Sequence, residues 1–244
     1  MAGHVRYLLA GALACGFWVL STSEACSSPP PDLFRKGEAK RLPKAATYVA
    51  WAVCQERQAE STGLNSSQKQ NLLDCARETY QKAIEVDPGH LPAYVGLARV
   101  YTNMNRSPMA VQTYQRALQK APRDASLWLY LGMCHCKSKQ WEPAIRSFEK
   151  ARELDPENRA INQTLGLCQA RAGLVQDALQ SLGRVMTPAE AHYTVARMMQ
   201  HIQRDDLCRQ LLAYALQLNP ELAAARDLQM KLDRPQNAGA QQTN

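Results

Sequence analysis

The sequence predicts an all-α fold, an array of about five helix–turn–helix repeats closed by a C-terminal capping helix. Three observations predict it. Small, aromatic, small and proline residues recur in one order, as Ala76, Tyr80, Ala83 and Pro88, then Ala110, Tyr114, Ala117 and Pro122, then Ala144, Phe148, Ala151 and Pro156. Each set follows the last by 34 residues, a period that belongs to stacked helical hairpins. The composition agrees: hydrophobic residues make up 45% of 244, phenylalanine is scarce at 3, and the Ala, Leu and Gln bias favours helix over sheet.

The N-terminal segment reads as an export signal. Arg6 precedes an uncharged stretch from Tyr7 to Leu20, and Ser23-Glu24-Ala25 offers small residues where a signal peptidase cuts. The apolar run is shorter than the ~20 residues a membrane span needs. Residues 1–25 are therefore expected to be a signal peptide. Three outcomes stand in order: secretion after cleavage before Cys26, lipid attachment at Cys26, and an uncleaved anchor. Each places the body outside the cytoplasm, periplasmic or secreted. Residues 26–44 read as a linker, because Ser27-Ser28-Pro29-Pro30-Pro31 cannot be helical.

The helical region is expected over residues 45–233. Ala45 to Arg57 carries Tyr48, Trp51 and Ala52 as packing residues, and Ser61 to Ser67 reads as a loop before a helix from Asp74 to Val86. From Leu91 the spacing is regular: Tyr94, Leu97, Ala98 and Tyr101, then Ala110, Tyr114, Ala117 and Pro122. The next unit has Trp128, Leu131 and Gly132, then Ala144, Phe148, Ala151 and Pro156; Trp128 and Phe148 are expected to fill the space around Gly132. A shorter unit near Arg159 has Leu165, Gly166, Ala178 and Leu182 and ends at Met186-Thr187-Pro188. The last begins at Ala189 with His192, Val195, Ala196, Cys208, Leu212, Ala215 and Pro220. Leu222, Ala225, Leu228 and Leu232 then give a capping helix, and residues 234–244 read as a disordered tail.

These positions resemble the tetratricopeptide repeat (TPR) family. The resemblance implies a right-handed superhelix whose concave face is lined by the first helix of each repeat. Carried over, the second repeat presents Val95, Arg99, Thr102 and Asn103, and the third Leu129, Met133, Cys136 and Lys137. The fourth presents Gln163, Leu167 and Arg171, and the fifth Tyr193, Arg197 and His201. The groove so drawn is a basic strip of Arg99, Lys137, Arg171 and Arg197 beside apolar patches. It suits a protein or peptide with acidic residues and apolar anchors, or the cations serve only to keep the face solvated.

Other chemistries find little here. The formal charge is +7, but Lys and Arg are scattered, so no nucleic-acid patch is expected. Cys134-His135-Cys136 resembles a metal triplet, yet adjacent residues on a helix point about 100° apart and cannot converge on one ion. No metal or cofactor is expected. Phosphate loops, nucleophile elbows and zincin motifs are absent from the sequence, so the chain reads as no enzyme. Of 8 cysteines, Cys54, Cys134, Cys168 and Cys208 fall where small buried side chains pack; Cys54–Cys75 is the best disulfide candidate. The function expected is a non-enzymatic scaffold in a bacterial envelope assembly. The alternatives are an accessory subunit of an envelope-polymer enzyme and a self-associating array.

Overall fold

In a computed structural model, residues 44–233 are described, and among them lie eleven helices and no strand. The expected signal, linker and tail lie outside the described residues. The chain divides after Pro122 into two units.

The N-terminal unit contains α1 (Ala45–Ala59), α2 (Ser66–Val86), α3 (Leu91–Asn103) and α4 (Ser107–Lys120). α1 pairs with α2 and α3 with α4, while α3 also packs on α2 and α1. The expected loop from Ser61 to Ser67 is shorter than the sequence suggests, because α2 begins at Ser66 and runs for 21 residues. A capping box starts it: the Gln68 backbone N–H donates to Asn65 Oδ1 at 2.8 Å, and the Asn65 N–H donates to Gln68 Oε1 at 3.0 Å. Most of the extra residues of the first repeat therefore extend its second helix.

The C-terminal unit contains α5 (Ala125–Lys137), α6 (Trp141–Leu154), α7 (Arg159–Arg171), α8 (Val175–Leu182), α9 (Pro188–His201), α10 (Asp205–Leu218) and α11 (Ala223–Asp233). The pairs are α5 with α6, α7 with α8 and α9 with α10, and α11 packs on α10 through buried Ala225 and Leu228. α8 has only 8 residues. No proline closes it, and Thr187 instead starts α9 with a second capping box to Glu190. The shortened fourth repeat thus ends where the sequence places it.

Proline and a left-handed turn residue punctuate both units. Before Pro88, Pro122, Pro156 and Pro220 stand Asp87, Ala121, Asp155 and Asn219, each out of helical ψ at 94°, 71°, 80° and 92°. Clash with the proline ring drives the preceding residue out of the α region and stops the helix. Within the hairpins, Asn105, Lys139, Gly173 and Gln203 have φ of 57°, 58°, 83° and 60°. Following each, the N–H of Arg106, Gln140, Leu174 or Arg204 donates back to the carbonyl five residues earlier at 2.8–3.0 Å. This is the helix-ending motif that a left-handed residue makes possible.

The cores interlock through glycine. A Cβ on Gly132 would meet the Phe148 ring at 2.5 Å, and one on Gly166 would meet Leu182 Cγ at 2.6 Å. Gly96 of α3 is as close to the ring of Tyr80 from α2, at 2.2 Å. Tyr80, Phe148 and Leu182 are each 0% exposed. Trp128 is half-buried, and its neighbour Leu127 is the fully buried side chain of that turn.

One disulfide expectation fails. Cys54 is not in a disulfide, so Cys54–Cys75 is not formed. Cys75 is disulfide-bonded, though not to Cys54. Cys54 is half-exposed in α1 rather than fully packed, whereas Cys134, Cys168 and Cys208 are buried at 2%, 2% and 0% exposure, as packing cysteines would be.

Candidate partner-binding faces

In the N-terminal unit the expected groove residues lie on α3. Val95 is half-buried, and Asn103 is exposed. Thr102 is half-buried and its hydroxyl donates to the Ala98 carbonyl at 2.9 Å. Arg99 is not a free cation. Its Nε donates to Glu56 Oε2 at 2.7 Å and its Nη2 to Glu56 Oε1 at 3.1 Å, with Tyr80 Oη 3.4 Å away. The Glu56 side chain is 6% exposed, so Arg99 is the counter-ion of a buried carboxylate. Glu56 is the first cause of Arg99 being held above the usual guanidinium range. Burial first, then Glu56, pushes the Tyr80 phenol above its ordinary value. Sequence reasoning missed Glu56, which lies 43 residues from Arg99 on a different helix.

In the C-terminal unit three first helices supply the surface. On α5, Leu129 is half-buried against the Phe148 cluster, Met133 is 49% exposed, and Lys137 is exposed. On α7, Gln163 and Arg171 are exposed while Leu167 packs against the apolar core. α9 packs on α7 and brings Tyr193, half-buried, with the Arg197 guanidinium 5.9 Å over its ring. Neither Arg171 nor Arg197 makes an ion pair among the described residues. The arrangement sets half-buried Leu129, Leu167 and Tyr193 and exposed Met133 among exposed cations, able to seat an apolar anchor and attract a carboxylate.

A concavity extends this face at its C-terminal end. Tyr193, Arg197 and His201 line it together with Gln200, and α11 contributes Ala224, Asp227, Leu228 and Lys231. The α11 residues were missed because the capping helix was read only for its apolar side.

The Cys134-His135-Cys136 triplet diverges. Cys134 is buried, His135 Nδ1 lies 2.8 Å from Gln140 Oε1, and Cys136 Sγ lies 3.0 Å from Cys168 Sγ. His192, expected to substitute in packing, bonds the Pro188 carbonyl at 2.7 Å and tilts against the Tyr214 ring. Among the described residues no group of three His, Cys, Asp or Glu could hold a metal, and no helix is long and apolar enough to cross a membrane.

Comparisons with known proteins agree with this architecture. Two tetratricopeptide repeat models match, over residues 69–131 and 125–158. No curated protein matches the sequence. Among solved structures, the chain is similar to YrrB, described as a TPR protein with an unusual peptide-binding site. The two are 22% identical with a TM-score of 0.54, over 77% of this chain and 92% of that one. It is similar to MamA at 14% identity and a TM-score of 0.55, over 78% and 96% of the two chains. It is similar to pilF of Pseudomonas aeruginosa at 17% identity and a TM-score of 0.53, over 77% and 82%. Paired helices, a 34-residue register and the matched models lead to one conclusion: residues 69–158 are tetratricopeptide repeats, in a chain whose helices pair in that fold.

Proposed function

We propose that the chain is a non-enzymatic scaffold that holds a protein or peptide partner on the first-helix face of its C-terminal unit. The observation that carries this reading is the exposed pair Arg171 and Arg197, neither in an ion pair among the described residues, beside the half-buried Leu167 and Tyr193. Desolvated apolar anchors give such a site affinity, and unpaired cations give it preference for acidic sequences. The peptide-binding site described for YrrB is in keeping with it, as is the fold likeness. An exported location in a bacterial envelope assembly accompanies the proposal. It is supported by the signal-like segment 1–25 and by a disulfide at Cys75, since disulfides persist in oxidising compartments. Cys26 is the position at which an anchoring lipid would sit.

The test is capture from an envelope extract by the full chain and by Arg171→Glu with Arg197→Glu. Arg99 is left intact, because a glutamate there would confront buried Glu56 and disturb the fold. Charge reversal should lower recovery of the captured protein by ~10-fold or more while helical circular dichroism is unchanged. Equal recovery by the double variant refutes this face. Light scattering across concentrations identifies the self-associating alternative, in which the captured protein is a second copy.

A further inference from the structure

Two thiols of the C-terminal unit touch across successive repeats. Cys136 Sγ lies 3.0 Å from Cys168 Sγ. That gap is roughly 1 Å beyond the disulfide bond length of about 2.05 Å, within reach of modest side-chain rotation. The cysteines stand on α5 and α7, the first helices of successive repeats, 32 residues apart in sequence. Access is unequal. Cys168 is 2% exposed in the Phe148 cluster, whereas Cys136 is half-exposed at its edge. Reagents therefore reach one sulfur first and find the other waiting behind it.

The electrostatics favour the same order. The contact with the Cys168 thiol is the first cause holding Cys136 below the ordinary thiol range, with burial opposing and Arg171 assisting. Cys168, bonded to Cys136 and buried, is pushed up. A lowered thiol at an accessible position is the attacking partner in exchange chemistry.

We propose that Cys136 and Cys168 form a thiol–disulfide exchange site that closes into an intramolecular bond between the third and fourth repeats. The oxidant is a disulfide, small or protein-borne. The Cys136 thiolate attacks one sulfur of R–S–S–R, forming a mixed disulfide and expelling RS⁻. Cys168 then loses its proton to solvent and attacks Cys136 Sγ, expelling the second RS⁻. One disulfide is reduced to two thiols and two protein thiols are oxidised to one disulfide. The covalent link ties α5 to α7 beneath the exposed Met133 and Arg171.

The experiment uses the reduced full chain and oxidised glutathione as the probe, followed by alkylation, trypsin and mass spectrometry. Cleavage after Arg123, Lys137, Arg159 and Arg171 isolates Cys136 in residues 124–137 and Cys168 in residues 160–171. The expected product is those two peptides joined, two hydrogens lighter than their sum. The thermal midpoint should rise by about 5 °C. C134S should keep the link, which separates it from the second cysteine of the same peptide. C168S should instead accumulate glutathione on Cys136, and C136S, altering a half-exposed residue, should lose the link without loss of fold. Absence of the linked peptide from native chain, its persistence in C136S, or its appearance only in urea would each overturn the proposal.

Discussion

The N-terminal and C-terminal units each seat a large side chain against a helix glycine, but Tyr80 meets the glycine of the following helix and Phe148 that of the preceding one, and the sockets are filled differently. In the N-terminal unit Gly96 faces Tyr80, whose hydroxyl reaches the Glu56–Arg99 pair. In the C-terminal unit Gly132 faces Phe148 and Gly166 faces Leu182, with no polar atom at the tip. The Phe148 surroundings are Ala144, Leu165, Leu129, Trp141, Ile145 and the two thiols. One oxygen atom separates Tyr80 from Phe148, and the two units have organised their interiors around its presence and its absence. At Tyr80 the buried hydroxyl is accepted because a charged network stands ready to bond it.

The largest test of this contrast is Arg99→Ala. It leaves the Glu56 carboxylate buried without its counter-ion, a change that costs 3–5 kcal/mol for a fully buried pair. Arg99 is 49% exposed on its side chain, so solvent relieves part of the loss, and about 2–3 kcal/mol is expected by urea denaturation. Hydrogen exchange should quicken chiefly in α1, α2 and α3; an equal change throughout α7 to α10 would break the comparison.

Next come the reciprocal exchanges. Phe148→Tyr places an unbonded hydroxyl in an apolar cluster and should cost about 2 kcal/mol. Tyr80→Phe removes one partner of Glu56 and should cost about 1 kcal/mol. Both directions destabilise, for opposite reasons. A neutral Phe148→Tyr in the same denaturation assay would show that the C-terminal socket can hydrate a hydroxyl.

The smallest effect lies at the α9 cap. The Glu190 carboxyl is held below its usual range by the Thr187 backbone N–H first and the Thr187 hydroxyl second. A carboxyl lowered in the folded chain stabilises it at pH values above the unfolded value of about 4.3, and that contribution fades as pH falls through the folded value. The wild-type advantage over Glu190→Gln should therefore be present at pH 7 and shrink as pH falls below about 4.3, as read from urea midpoints. An advantage that persists unchanged at pH 3 would show that the cap does not depend on charge.

The repeat architecture was legible because its small and aromatic positions recur at one spacing, and three proline-closed sets in register leave few alternatives. The left-handed turn position was not. Asn105, Lys139, Gly173 and Gln203 share a backbone state, but only one is glycine, so residue type concealed what backbone geometry repeats. The extended α2 was hidden likewise, since Asn65 and Gln68 look like loop residues until their reciprocal bonds are seen. The groove was legible as positions, not as partners. Arg99 carries a groove residue's register, while Glu56, which claims it, lies in the irregular first repeat where no pattern applies. The Cys136–Cys168 contact escaped for a related reason: its spacing of 32 falls two short of the repeat, so the two never align in a repeat comparison.

The Glu56–Arg99 pair also gives the molecule an uneven response to warming. Water solvates ions less well as temperature climbs, so sequestering a carboxylate and a guanidinium becomes less costly, while the gain from hiding hydrocarbon levels off. The half of the protein that carries the ions should accordingly lose less ground in hot buffer than its oily counterpart. Heat and urea need not then dismantle the two halves in the same sequence.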